Sequence, residues 1–220
     1  MLNMLKLDWL AMKVYRKRIL LIPLLSLVFG WQHSLLVVPA CVFMMLNYST
    51  NPFAVEDKGS LNNLYLTLPI KRSAIVTGRY ALSLMMLLLG LAFGFAFTPI
   101  VNLYSMSKFY IGVKGYAVIA AVSYLIYAMA NVFMLPILFK LGYAKGKMWG
   151  YFLPSLVYGL IIGAYFFVSY LPGNELLTIN LIVYASENMI LVCGTIAVLA
   201  TALLALSYRL SQKVYAKREF

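Results

Sequence analysis

Four stretches of this chain are long enough to cross a membrane as helices and contain no charged residue: Tyr80 to Ser107, Gly115 to Phe139, Met148 to Asn174 and Asn188 to Tyr208. A hydrocarbon core about 30 Å thick takes roughly 20 apolar residues in a helix, so each run holds one crossing with a margin for tilt. A fifth run, Ile19 to Val55, is too long for one crossing and tight for two. Its interior carries Gly30, Trp31, Gln32, His33 and Ser34, a polar and turn-prone cluster that suits the tip of a helical hairpin. With 64% hydrophobic and 11% charged residues, the chain has too few charges to cover a soluble surface, which makes it an integral membrane protein.

The formal charge of +12 would fit a nucleic-acid binder if the basic residues shared one face. They lie instead between the apolar blocks, where they report topology. Cytoplasmic loops carry the Lys and Arg excess. If Ile19 to Val55 is a hairpin, one side receives Lys6, Lys13, Arg16, Lys17 and Arg18, then Lys58, Lys71, Arg72 and Arg79, then Lys140, Lys145 and Lys147, then Arg209, Lys213, Lys217 and Arg218. That is sixteen of the eighteen basic residues, leaving Lys108 and Lys114 outside with Glu175 and Glu187. The expected fold is therefore all-α, one membrane domain over 1–220 with six transmembrane helices and both termini cytoplasmic: helices 1 and 2 over 19–50, helix 3 over 80–107, helix 4 over 115–139, helix 5 over 148–171, helix 6 over 188–208 and a tail over 209–220.

Residues 1–18 read as an interfacial amphipathic helix and not as a cleaved signal, since Asp8 and five basic residues interrupt them. On a helical wheel Lys6, Lys13, Arg16 and Lys17 share one arc, while Met4, Leu7, Ala11, Met12, Val14 and Tyr15 take the other, as an anionic lipid surface requires. Between helices 2 and 3 the polar connection 51–79 carries its own helix signals: Ser60 can cap a short helix Leu61 to Leu68, which Pro69 ends. Leu176 to Ser186 is apolar but only eleven residues long; within the segment 172–187 it is expected to form an external re-entrant element.

Chemistry inside the membrane is not expected. The spans contain no Asp, Glu, Lys, Arg or His, so neither an intramembrane protease nor a proton-coupled carrier has its groups there. One His and two Cys make no metal site. Gly142, Gly146 and Lys147 depart from a phosphate loop in spacing and in the Met148 that follows; a basic turn is the plain reading. Small residues four apart, Gly90 with Gly94 and Gly159 with Gly163, let helices approach closely, within the chain or at a dimer seam. Asn131, one turn before Pro136, can bond a freed carbonyl or a neighbouring helix, or line a path.

The loop sequences Asn51-Pro52-Phe53-Ala54-Val55-Glu56-Asp57-Lys58, Leu66-Thr67-Leu68-Pro69-Ile70-Lys71-Arg72 and Ile75-Val76-Thr77-Gly78-Arg79-Tyr80 resemble the first cytoplasmic loop of the type-2 ABC transporter permeases, in their compact six-helix branch of Gram-positive phenol-soluble modulin and bacteriocin exporters. The resemblance implies that Leu61 to Leu68 is a coupling helix seated on a separate ATPase. Glu56, Asp57, Lys58, Leu61, Leu64, Tyr65, Leu68, Pro69, Lys71 and Arg72 would then make the ATPase contacts. It further implies two permeases, a homodimer or a heterodimer, with two ATPase subunits that bind ATP and Mg, in a bacterial plasma membrane. Gly159, Gly163 and Asn131 are the dimer or path residues. The chain itself would bind no cofactor or metal and catalyse nothing, and its cargo would be an amphipathic or hydrophobic peptide moved by alternating access. A membrane immunity or sensor-accessory protein that binds a peptide toxin without transport is the competing class.

A cysteine placed at Gln32, Ser107 or Asn174 is expected to react with an impermeant thiol reagent outside the cell, and one at Ser60 or Lys145 is not. Labelling of Ser60 from outside would remove the hairpin and with it the six-helix topology.

Overall fold

The computed structural model describes residues 2–15, 21–29, 34–59, 72–105, 113–169 and 187–217. Among the described residues there are seven α-helices: α1 Leu2–Ala11, α2 Leu21–Phe29, α3 Val37–Tyr48, α4 Asn51–Lys58, α5 Arg72–Tyr104, α6 Val113–Ser169 and α7 Met189–Ala216, with 3-10 turns at Met12–Tyr15 and Ser34–Leu36. Helices Arg72–Tyr104, Gly115–Leu153 and Met189–Ala216 are long and apolar enough to cross a membrane. The second of these runs through a reversal at Gly142. There φ is 73° and ψ −179°, a backbone state that a Cβ makes prohibitive, so glycine is required. The two arms of α6 then lie against each other: a Cβ on Gly146 would come within 3.3 Å of Ile137 O, and one on Gly150 within 3.8 Å of Leu138 and Met134. The basic turn expected at Gly142 is thus a helical hairpin, with Lys140, Lys145 and Lys147 exposed around it.

Of the expected first hairpin, α2 is described over the nine residues Leu21–Phe29, with 16–20 and 30–33 outside the described residues. Helix α3 has twelve residues, and the helical path does not stop at 50. Ser49 and Thr50 keep right-handed helical angles and lead directly into α4. The join is a tightened turn in which the Ser49 and Thr50 N–H groups reach back three residues to Leu46 O and Asn47 O, and their hydroxyls donate to the same two carbonyls at 2.6 and 2.7 Å. Residues 51–58, expected as loop, are helical. At the other margin α5 is already helical from Arg72, ahead of the charge-free run that begins at Tyr80.

Running beside each other, α3 and α5 meet through glycine. A Cβ on Gly90 would lie 2.9 Å from Val42 Cα and one on Gly94 2.8 Å from Val38 Cα. The Gly90 and Gly94 pair therefore serves packing within the chain. Ser26 Oγ and Cys41 Sγ, 2.8 Å apart, join α2 to α3, and Tyr104 Oη donates to Leu27 O at 2.8 Å, joining α2 to α5. Helix α1 docks across the start of α5, where a Cβ on Gly78 would fall 2.8 Å from Met4 Cβ. Its buried stripe is Met4, Asp8 and Met12, while Leu7 and Leu10 are exposed. The expected division of α1 into a charged and an apolar arc is corrected here, because the acidic residue turns inward to meet a buried cation.

Gly94→Leu is expected to force α3 off α5 and lower the thermal unfolding midpoint in detergent, an overpacking cost of about 1–3 kcal/mol. Gly194, which has open space where a Cβ would sit, should accept the same replacement without that loss. Equal effects at both positions would refute the close-approach role of Gly94.

Candidate functional site

At one end of the bundle the helices converge on the segment 60–71. Leu61, Leu64, Tyr65, Leu68, Pro69 and Lys71, together with the capping Ser60 and the helix expected over Leu61 to Leu68, lie outside the described residues, as does the re-entrant element Leu176 to Ser186. The residues that lead into and out of this segment are described, and they are fastened to three different helices.

Entry is through α4. Asp57 is exposed and accepts a hydrogen bond from the Ala144 N–H at 2.6 Å. Ala144 opens the second arm of α6 just past Gly142, where helix N–H groups have no intrahelical partner, so Asp57 acts from a distance as an N-terminal cap. One residue earlier, Glu56 is buried and accepts from Arg79 Nη2 at 2.9 Å. Lys58 closes α4 and is exposed, its charge at the negative end of the helix dipole. On the exit side Arg72, exposed, donates from Nη1 to Ala216 O at 2.9 Å and so caps the C-terminal end of α7.

Arg79 is the centre of this end. Only 2% of the residue is accessible to solvent. Its guanidinium has the Glu56 bond on one side, Asp8 Oδ2 3.4 Å from Nε on another, and the Phe53 ring below, with Cζ 4.6 Å from the ring centroid. Three helices, α1, α4 and α5, each contribute to the clasp. Burial pushes the Asp8 carboxyl above its ordinary value, and the neighbouring Arg79 charge offsets part of that rise. From Phe53 an aromatic ladder continues: Phe53 meets Phe139 edge to face at 5.0 Å, and Phe139 meets Tyr215 at 5.3 Å, which carries the contact into α6 and α7.

Deeper in the bundle a polar layer ties α5, α6 and α7 together. Ser207 Oγ donates to Asn131 O (2.8 Å), so the Tyr80 hydroxyl, 2.6 Å from Ser207 Oγ, donates to it and accepts from Ser211 at 2.9 Å. Ser83 donates to Asn131 Oδ1 at 3.4 Å and accepts from Tyr127 Oη at 2.6 Å, and Asn131 Nδ2 returns to Tyr127 O at 3.0 Å. Asn131 is fully buried; of its expected partners, the structure supplies the neighbouring helices. Nearer the end, Tyr208 donates to Thr77 (2.8 Å), whose own proton goes to Ser73 O, and accepts from Gln212 at 2.6 Å. Gly159 and Gly163 ride on the second arm of α6, where the side-chain surroundings fall outside the described residues. Sequence reasoning missed Asp8, Arg79 and the Tyr80 and Ser207 layer. The available signals were a lone acid spaced four residues from Met4 and from Met12, and serines spaced four apart at 207 and 211 on an apolar helix.

No group of three or more His, Cys, Asp or Glu able to hold a metal occurs among the described residues. The arrangement is mechanical: the residues on either side of 60–71 are bonded to the three long helices α5, α6 and α7. The family model for ABC-2 family transporter protein matches residues 3–216. The chain belongs to the ABC-2 transporter family. It is thus a multi-pass membrane permease, the transport component of an ABC transporter that works with an ABC ATPase and is not itself the ATPase. No curated protein and no solved structure is matched by the chain. In this ABC-2 permease the Glu56, Asp57 and Arg72 side chains make bonds within the chain.

Arg79→Ala leaves two buried carboxyl groups without their cation, and the unfolding free energy is expected to fall by about 3–5 kcal/mol. Arg72→Ala removes a bond at an exposed helix end and should cost about 1 kcal/mol or less. Equal destabilisation in chemical unfolding would show that Arg79 is not the keystone of this end.

Proposed function

We propose that this ABC-2 permease is the membrane subunit of an ATP-driven exporter of amphipathic or hydrophobic peptides, of the phenol-soluble modulin or bacteriocin kind. It works in a bacterial plasma membrane with six crossings and both termini cytoplasmic, as a homodimer served by two ATPase subunits that bind ATP and Mg. The observation that carries the coupling part is the fastening of the 60–71 segment: Glu56 to α5, Asp57 to α6 and Arg72 to α7. A push on that segment reaches all three long helices through bonds at its roots, as a drive for alternating access requires. Leu61, Leu64, Tyr65 and Leu68 recur at three- and four-residue spacing, giving a short helix one apolar face that a partner groove would cover.

The peptide cargo is supported by composition. The crossing helices offer aromatic and aliphatic side chains, and the polar layer of Tyr80, Ser83, Tyr127, Asn131, Ser207 and Ser211 is already bonded within itself. Such a lining suits an amphipathic helix or a lipid-like compound better than a sugar or an ion. The reading as a non-transporting immunity or accessory protein gains nothing from the family match.

The double replacement Tyr65→Ala with Leu68→Ala is expected to leave expression and thermal stability unchanged, abolish substrate-stimulated ATP hydrolysis, and reduce co-purification of the ATPase at least tenfold, the loss of about 1.4 kcal/mol or more of binding. Normal complex formation and export in that variant would overturn the coupling assignment.

A further inference from the structure

The clasp at the loop end holds two carboxyl groups and one guanidinium in a space nearly closed to water: Asp8 is 1%, Arg79 2% and Glu56 6% exposed. The two carboxyl groups do not share Arg79 equally. Glu56 has the 2.9 Å hydrogen bond, whereas Asp8 is 3.4 Å from Nε, close enough to feel the charge but without a hydrogen bond. Both Asp8 oxygens are buried and lack any hydrogen-bond partner. An ionised carboxylate in that state has given up its water for one distant cation, which a second carboxylate already engages.

We propose that Asp8 is a proton-binding site and that its proton decides whether α1 stays docked on α5 and α4. A neutral carboxyl removes the charge that burial penalises, leaves Arg79 to Glu56, and lets α1 keep Met4 and Met12 in their buried contacts. Among the described residues, the charged groups facing Asp8 are Arg79 from α5 and Glu56 from α4; Lys6 and Lys13 on its own segment are exposed and turned away. The sign follows from the environment. Burial raises the Asp8 carboxyl above its ordinary value when α1 is docked, so the docked state holds the proton more tightly than the released one. Docking is strongest at low pH and weakens as pH rises through the raised value. Acidification therefore tightens the N-terminal helix onto the roots of the coupling segment.

The test follows α1 directly and does not depend on what is transported. In the full chain in lipid vesicles, with Cys193→Ser and the buried Cys41 retained, spin labels at Lys6→Cys and Ser73→Cys report the distance between α1 and the start of α5. As the pH is raised from the ordinary carboxyl range upward, the short-distance population is expected to fall in this parent. Asp8→Asn, neutral at every pH, should remain docked throughout. Glu56→Gln frees Arg79 for Asp8 and should move the midpoint down by about one pH unit. Infrared difference spectra provide a second readout: a protonated-carboxyl C=O band at low pH in the parent that is missing in Asp8→Asn. A distance that does not respond to pH in the parent, an Asp8→Asn chain that responds as the parent does, or a band unchanged by Asp8→Asn would each overturn the assignment.

Discussion

Placing the Arg79 guanidinium where water hardly reaches costs several kcal/mol, roughly, before its partners return any of it. The return comes from three directions: a charge-assisted hydrogen bond to Glu56, the field of Asp8 and the face of Phe53. Each partner belongs to a different turn of chain, so the cation fixes where α1, α4 and α5 stand. Lysine could not do this from one position, because a compact ammonium lacks the planar fork that reaches two carboxyl groups while lying on a ring. Once Arg79 is seated, Phe53 is seated, and through Phe139 and Tyr215 the same contact determines how α6 and α7 close over that end.

The rest of the bundle is organised inside out relative to a soluble protein. Along α7 the large side chains Ile190, Leu191, Val198, Leu199, Leu206 and Leu210 are exposed, whereas Ala200, Ser207, Ser211 and Tyr215 are buried. Lipid is as apolar as leucine, so hydrophobicity gives helices no reason to associate in it. What holds them is close backbone approach, as at Gly90 and Gly94 against Val42 and Val38, and hydrogen bonds that lipid cannot offer, as among Tyr80, Ser83, Tyr127, Asn131 and Ser207. Each bond in such a layer is modest, about 1 kcal/mol. The alternative for each hydroxyl is burial without a partner, and that asymmetry makes the layer specific.

The parts of the fold that depend on composition were legible in the sequence. The apolar run 115–139 falls inside α6, those at 80–107 and 188–208 largely coincide with α5 and α7, and the glycines at 142 and 146 marked the reversal within α6. The boundaries that depend on partners were not legible. A charge ends an apolar run by rule, so Arg79 falls outside the expected helix 3 span; only Glu56 and Asp8, distant in sequence, make Arg79 an interior residue. Likewise Pro52 and the acidic pair after it read as loop, because nothing local says that Ser49 and Thr50 will carry the helical path into them. Of the coupling residues expected from the loop, Glu56, Asp57 and Arg72 are seen in bonds that root it.

The end that carries Gly59 and Arg72 is densely fastened: there stand the buried clasp, the two helix caps made by Asp57 and Arg72, the Tyr208 bonds to α5 and the Thr50 contact with Tyr151 at 2.6 Å. Elsewhere the described contacts include the Ser26 and Cys41 pair, the Tyr104 bond with Leu27 O and an edge-to-face pair of Phe95 and Tyr116 at 5.5 Å. Polar bonds with fixed geometry resist sliding, whereas apolar faces in lipid can shift with little change in contact energy. Gly142 belongs to the same end, since it turns the chain in a conformation that only glycine adopts readily, and Asp57 holds the helix that starts just beyond it. A displacement applied at Asp57 and Arg72 therefore meets α5, α6 and α7 through bonds of fixed geometry and acts on the three together.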